Sequence, residues 1–247
     1  MKDKLLTTLF GICAALLIIT FSIGLPIYFR PFYYMQIDAL DITGTSGEDY
    51  DTVKEAYDEV LDYLTLPGRE FGTGEFKYSE EGKSHFEDCK VLFDLNFWVL
   101  IVSFAGTLTL AILAKLRKFR LCRPFGCHVL MTSAISILAF FALIAILVAI
   151  DFDAAFTVFH KIFFPGKSNW YFGWDTDQII RILPSEFFMN CAILIFSSIV
   201  LLCIGLIVYS VLRKIYPPKE PEAPKPQYID FSKAGYEALL KKDNKKK

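Results

Sequence analysis

The chain has 247 residues, of which 54% are hydrophobic and 21% charged, and its formal net charge is −1. Its mean hydropathy of +0.40 is too high for an ordinary soluble domain and points to a membrane protein. The sequence carries no phosphate-binding loop, no paired CxxC and no serine-hydrolase elbow, and nothing in it marks nucleic acid as a substrate.

Four apolar runs, roughly 5–29, 91–113, 127–150 and 187–215, reach the ~20 residues that a bilayer-spanning helix needs. The expected fold is an all-α four-transmembrane-helix bundle over residues 1–216, followed by a proline- and lysine-rich tail, 217–247. Basic residues set the orientation. Lys2 and Lys4 precede the first run, Lys115, Arg117, Lys118, Arg120 and Arg123 separate the second from the third, and the tail ends KKDNKKK. The positive-inside rule puts all three on the cytoplasmic side, so both termini are inside. Loops 30–90 and 151–186 then face outward, the first as a small acidic lobe and the second as an aromatic interfacial loop. The first run is too long for a signal-peptide core and has only a weak small-residue site, Ser22-Ile-Gly24, so an uncleaved helix is expected. Of the cysteines, Cys13, Cys191 and Cys203 fall in spans and Cys122 and Cys127 at the cytoplasmic edge. Cys89 stands alone near the outer surface, so no disulfide framework is expected.

In the outer lobe, Val53, Tyr57, Val60, Leu61 and Leu64 recur at helical spacing and predict a helix over 46–64. Ser46-Gly-Glu-Asp49 has the form of a capping box, and Pro67-Gly68 stops the helix. The acidic face of this helix reads as solvated surface rather than as a metal site. Residues 71–78 place a Gly-Thr-Gly turn between aromatics and predict a small hairpin. Ser84-His85-Phe86-Glu87 then has the signature of a helix start. With His85 in the first helical position, the positive end of the helix disfavours its imidazolium form. Asp88, three residues on, is placed to orient the ring through a hydrogen bond.

The second outer loop predicts an amphipathic helix over 153–164 lying on the membrane, with Phe156, Phe159, His160, Phe163 and Phe164 near one side. Pro165-Gly166 ends it, and Trp170, Tyr171, Phe172 and Trp174 form an interfacial belt. Asp175-Thr176-Asp177 is placed to cap a short helix over 178–183 that carries Arg181, and Pro184-Ser185 opens the last span. The tail begins with an extended PPKEPEAPKP linker and predicts a short amphipathic helix over 228–240. Its terminal lysines favour anionic inner-leaflet lipid, with a protein partner as the alternative.

Two of the three histidines, His85 and His160, fall just outside spans on the same face. Titratable imidazoles at headgroup depth suit acid–base chemistry on a lipid ester; interfacial anchoring is the competing explanation. His128, at the cytoplasmic start of the third span, reads as structural. His85 and Cys89 are four residues apart, so a cysteine–histidine nucleophile pair is also open, although such helix neighbours arise often by chance. His85, Asp88, His160 and Asp175 or Asp177 have the chemistry of metal ligands but no tight ligand spacing, and no metal or other cofactor is expected.

Two blocks resemble the lipoprotein intramolecular transacylase family, a four-span membrane family of Gram-positive bacteria. One is His85-Phe-Glu-Asp88-Cys-Lys-Val-Leu92-Phe93. The other runs Phe159-His160-Lys-Ile-Phe163-Phe164, Asn169-Trp170, Asp175-Thr-Asp177 and Leu183-Pro184-Ser-Glu-Phe187-Phe188. Family members carry aliphatic residues at the positions of Phe86 and Cys89, which weakens the thiol alternative. The resemblance implies transfer of the sn-2 acyl chain of a diacylglyceryl lipoprotein to the α-amine of that lipoprotein's own N-terminal cysteine, giving the lyso-form at the plasma membrane. Nucleophile and ester share one molecule, so proximity replaces an acyl-enzyme. For that reaction His85 is expected as base oriented by Asp88, and His160 as oxyanion stabiliser or proton donor, with the two roles exchangeable. Asn169, Tyr171 or Arg181 would supply a further donor. Trp170 joins them at the substrate, and Asp175 and Asp177 either orient His160 or cap the short helix. The competing classes are a non-enzymatic membrane scaffold or adaptor and a lipid-ester hydrolase.

Overall fold

The computed structural model describes residues 1–215 together with Glu237. The tail linker and, apart from Glu237, the helix expected over 228–240 lie outside the described residues. Residues Met1–Val211 form one compact unit. In chain order the helices are α1 (Lys2–Tyr28), α2 (Pro31–Ala39), α3 (Ile42–Ser46), α4 (Tyr50–Thr65), α5 (Glu80–Lys115), α6 (Val129–Ile150), α7 (Phe152–Phe163) and α8 (Ser185–Ile215), with single 3-10 turns at Pro124–Gly126 and Gln178–Arg181. No strand forms among the described residues. The helices α1, α5, α6 and α8 are long and apolar enough to cross a membrane, so the expected all-α four-span architecture is the observed one.

α1 is the inner helix of the bundle. In its most apolar stretch 39% of residues are buried, against 11% in each of the other three spans. It packs against α5 and α6. Lipid removes most of the hydrophobic drive between helices, so their association depends on close packing through small residues. A Cβ on Gly11 would lie 2.9 Å from Ser133 Oγ of α6, and one on Gly106 of α5 would lie 2.9 Å from Cys13 Sγ of α1. Across the first of these contacts Ser133 donates to the Gly11 carbonyl at 3.1 Å. α8 joins through Ile199 and Cys203, which pack with Ile18 of α1 and Ala134 and Ile137 of α6. His128 is the N-cap of α6, its Nδ1 accepting from Leu130 N at 3.3 Å, which is the structural role its position suggested.

α5 has 36 residues and is therefore about 54 Å long, well beyond the ~30 Å hydrocarbon core. Its first three turns stand above the apolar stretch and form one wall of a lobe. Within that lobe α2, α3 and α4 pack with Phe76, Phe86, Ile179, Ile182, Leu183 and Phe187 into one core. Tyr33, fully buried, stacks on Tyr57 at 3.7 Å between ring centroids and donates to the Ile182 carbonyl at 2.7 Å. The segment before α8 is thereby clamped to the segment after α1. Arg30 pairs with both Asp58 and Asp62, so part of the acidic face of α4 is neutralised from α2's N-terminal end.

Three local expectations are corrected. The helix expected over 46–64 starts later, as α4 at Tyr50, because Ser46 ends α3 and Gly47 adopts φ +79 between the two. The cap is Asp49, accepting from Thr52 N at 2.9 Å, and not Ser46. Residues 71–78 form no hairpin. Their backbone groups are taken elsewhere: Gln178 N donates to the Lys77 carbonyl at 2.9 Å, Lys77 N to Gln178 Oε1 at 3.0 Å, and Gly74 N to Glu59 Oε2 at 2.5 Å. α5 starts at Glu80, with Ser79 Oγ accepting from Gly82 N at 3.0 Å. His85 is therefore in the second turn of the helix, not the first.

Candidate active site

Two elements deliver the imidazoles. α7 runs along the end of the bundle with Val158, Phe159, Ile162 and Phe163 exposed and His160 buried. That is the distribution of an amphipathic helix lying at a lipid interface. His85 faces inward from α5 and is 7% exposed. The two ring centroids are 5.7 Å apart, with the planes inclined at 34°.

Aromatic rings enclose them. Phe164 and Phe172 meet His85 edge-on at 4.9 and 5.5 Å. Trp170 stacks on His160 at 4.7 Å, and Phe156 meets the same ring edge-on at 4.4 Å. This apolar box governs protonation. Burial, reinforced by the charge His160 would carry, pushes the His85 pKa down to about 4, with Asp88 opposing. Burial also lowers the His160 pKa, against the Phe156 carbonyl, which raises it. Both rings are neutral at neutral pH. The expectation of a neutral His85 holds, but its cause is desolvation and not the helix end.

The hydrogen bonds assign the ring nitrogens. His160 Nδ1 lies 2.7 Å from the Phe156 carbonyl oxygen. A carbonyl only accepts, so Nδ1 carries the proton and the neutral ring keeps its lone pair on Nε2. His85 Nε2 lies 3.4 Å from Cys89 Sγ. Burial pushes the Cys89 thiol up to about 12, so it keeps its proton; where that S–H donates to Nε2, the ring proton of His85 stands on Nδ1. That Nδ1 is buried and has no partner. A protonated, desolvated thiol is a poor nucleophile, and Cys89 is accordingly part of the pocket wall.

The other sequence-derived residues separate into two groups. Asp88 does not bond His85. It accepts from Lys167 Nζ at 2.5 Å and from Asn169 Nδ2 at 3.0 Å. Burial raises its carboxyl, but these two bonds and the Lys167 charge outweigh that and hold it below the usual carboxylate range. Asn169 Nδ2 is also 3.4 Å from Ser84 Oγ, on the residue directly before His85. Asp88, Asn169 and Trp170 thus belong to the pocket, together with Phe164 and Phe172, expected only as interfacial aromatics, and Lys167, which sequence reasoning had not singled out. No local pattern pairs Lys167 with an aspartate on a helix far earlier in the chain.

Tyr171, Asp175, Asp177 and Arg181 lie outside the pocket wall. Tyr171 stacks on Trp170 and is 65% exposed. Arg181 pairs with Asp175 at 3.3 Å and lies over the Trp174 ring. Asp177 neither caps the 3-10 turn nor orients His160. It is buried and accepts from Ser79 N at 2.8 Å, Ser79 Oγ at 2.7 Å and Thr176 Oγ1 at 2.9 Å. Its carboxylate ties the aromatic loop to the start of α5, and a Cβ on Gly82 would collide with it. Among the described residues no three His, Cys, Asp or Glu side chains converge as metal ligands.

A four-span bundle that buries two neutral imidazoles in an aromatic box at its end, fringed by a lipid-facing helix, has the make-up of a membrane enzyme for acid–base chemistry on a lipid substrate. The chain belongs to the family described as lipoprotein intramolecular transacylase Lit, whose model matches residues 8–188. It is thus an integral membrane acyltransferase. It is similar to the in meso structure of the membrane-integral lipoprotein intramolecular transacylase Lit from Bacillus cereus, at 27% identity and a TM-score of 0.77, over 87% of this chain and 98% of that one. It is also similar to structures of that enzyme with an H85R mutation (26%, TM-score 0.70, 87% and 94% covered) and with an H85A mutation (26%, TM-score 0.70, 87% and 96% covered). No curated protein matched by sequence.

Proposed function

We propose that the chain transfers the sn-2 acyl chain of a diacylglyceryl lipoprotein to the α-amine of that lipoprotein's N-terminal cysteine, and does so on the outer face of a Gram-positive plasma membrane. The observation that carries this reading is the pair of neutral imidazoles, which leave different ring nitrogens open. His160 presents a lone pair at Nε2, and His85 presents an N–H at Nδ1. Aminolysis of an ester needs one of each. The base takes a proton from the attacking nitrogen, and the donor meets the oxygen on which negative charge develops.

The nitrogens left open support exchanging the roles first expected. His160 is the base, and His85 stabilises the tetrahedral oxyanion as a neutral donor. The amine nitrogen attacks the ester carbon, forming the amide C–N bond. Its proton passes to His160 Nε2, the sn-2 C–O bond breaks, and His160 returns the proton to the departing glycerol oxygen. No net proton is gained or lost and no covalent enzyme intermediate forms. Because both reacting groups belong to one substrate, the enzyme's task is to fold it and exclude water, which exploits high effective molarity. The aromatic box suits that task.

The outer placement rests on charge. The basic linker between α5 and α6 contains Lys115, Arg117, Lys118, Arg120 and Arg123, which favours the cytoplasmic side and puts the histidine end outside. The lipid-facing residues of α7 supply the route by which diacylglyceryl chains reach the pocket from the membrane. The testing experiment mixes the purified full chain with a synthetic diacylglyceryl lipopeptide bearing a free α-amine and identifies the products by fragmentation mass spectrometry, which locates each acyl chain on the amine or the glycerol. An N-acyl, monoacylglyceryl product of unchanged total mass supports transfer. Free fatty acid plus lyso-ester would instead identify a hydrolase, and unchanged substrate would favour a scaffold.

A further inference from the structure

The atoms of Asn169 are committed unevenly. Its amide nitrogen is spent on α5, donating to Asp88 Oδ2 at 3.0 Å and lying 3.4 Å from Ser84 Oγ. A carboxylate only accepts, so this contact fixes which end of the amide is nitrogen. The other end, Oδ1, is sealed from solvent and has no partner. A buried carbonyl without a donor costs the full desolvation of that group. Among the described residues around the two histidines, His85 Nδ1 is the other buried polar atom without a partner. The two are held close in the fold, since Ser84 precedes His85 directly and Trp170, which follows Asn169, stacks on His160.

Asn169 therefore cannot be the extra donor that its side-chain type suggested; what it offers is an acceptor. We infer that Asn169 Oδ1 accepts an N–H of the substrate's α-amine and aims the nitrogen lone pair at the ester carbon, an assignment that rests on the transacylase reading above. A neutral primary amine has two N–H groups and one lone pair. One acceptor leaves the nitrogen free to rotate about that bond, whereas two acceptors fix the lone-pair direction. His160 Nε2 is the first acceptor and takes the proton as the C–N bond forms. Asn169 Oδ1 is the second and keeps its hydrogen bond throughout, so it moves no proton. The site thereby selects a primary over a secondary amine. Asp88 and Lys167 are positioning residues in this scheme. Asp88 anchors the amide nitrogen so that Oδ1 is presented, and Lys167 anchors Asp88.

The test is a cycle between enzyme and substrate, using the full chain and two synthetic diacylglyceryl lipopeptides, one with a free α-amine and one with its Nα-methyl derivative. The methyl group removes one N–H and leaves the nitrogen nucleophilic. Wild-type enzyme is expected to prefer the primary amine by about 10- to 100-fold in kcat/KM, the range of one oriented hydrogen bond to a polar buried group. Asn169→Ala is expected to lose activity on the primary amine and to abolish the preference. A purely structural role for Asn169 would lower both rates and leave their ratio unchanged, so persistence of the preference in Asn169→Ala overturns the inference. The double substitution Asp88→Asn with Asn169→Asp exchanges donor and acceptor between the partners and keeps an acceptor oxygen at residue 169. It is expected to retain the preference, and losing it there also overturns the inference. Failure of wild-type enzyme to make the lyso-form product would instead sink the transacylase reading itself.

Discussion

His160 Nδ1 and the Phe156 carbonyl oxygen are 2.7 Å apart, one turn from each other on α7. That bond makes the two buried histidines inequivalent. Removing the base with His160→Ala or His160→Gln is expected to cost about 10²- to 10⁴-fold in rate. Removing the donor with His85→Ala costs about 10²- to 10³-fold. An asparagine at residue 85 places an N–H near the position of the histidine Nδ1, so His85→Asn should recover part of the loss, whereas His160→Gln should recover none. Rates of lyso-form lipopeptide production check this. Recovery by His160→Gln without recovery by His85→Asn would reverse the roles.

The pH profile follows from the depressed histidine pKa values. The enzymic acid limb should lie below 6.5, the ordinary histidine value, because burial disfavours both imidazoliums. A separate limb at about 8 belongs to the substrate amine and moves with the substrate. Stability changes in the same direction. His85 titrates at 6.5 when unfolded and at about 4 when folded, so the unfolded state binds more protons between those values. Stability is full above 6.5 and falls on acidification through this window, by roughly 3 kcal/mol at its lower end. Thermal unfolding of wild type and His85→Phe at pH 7 and pH 4.5 measures it, and the substitution should flatten the dependence.

Asp177 and Asp175 are two residues apart and should behave differently. Asp177→Ala leaves the buried Ser79 amide without its acceptor and is expected to cost about 1–3 kcal/mol, read as a lowered unfolding midpoint. Activity loss should follow, because the aromatic loop carrying Trp170 is tied down there. The Asp175 side chain is 92% exposed in its pair with Arg181, and Asp175→Asn should leave both stability and activity near wild type.

Gly11 tests the bundle. A Cβ there meets Ser133 Oγ at 2.9 Å and Val129 Cγ2 at 3.0 Å, so Gly11→Leu must force α1 from α6. The expected cost is about 1–3 kcal/mol, seen as a lower unfolding midpoint in detergent. Gly205, with nothing near its Cβ position, is the matched control: Gly205→Ala should be neutral or stabilising.

Cys89→Val removes the S–H donor to His85 Nε2 but keeps the shape of the wall. A loss of about fivefold is expected, the value of one ordinary hydrogen bond. Complete loss of lyso-form production would revive a thiol nucleophile.

Much of this was legible in the chain. Span positions, helix class and the placement of two histidines at one end of the bundle follow from hydropathy and charge, which act locally and additively along the sequence. The amphipathic α7 was legible for the same reason, and its observed bounds, Phe152–Phe163, lie within a residue of expectation. Errors fell where a side chain had a choice of partners. Ser46, Ser84 and Asp177 all carry capping chemistry. Asp49 and Ser79 took the caps next to the first two, and Asp177 was drawn to Ser79 across the fold. The hairpin over 71–78 failed because Gln178 and Glu59 bond its backbone in place of a second strand.

The sequence by itself determined that this is a four-span membrane protein with His85 and His160 near one interface, because burying apolar runs in lipid depends only on their length and composition. The tertiary structure alone decided which histidine nitrogen holds a proton, which end of Asn169 is open, and that Asp88 serves Lys167 and Asn169 instead of His85. Those are matters of direction. A hydrogen bond forms only where donor and acceptor converge, and here that convergence depends on α5, α7 and the loop after α7 meeting within a few ångströms.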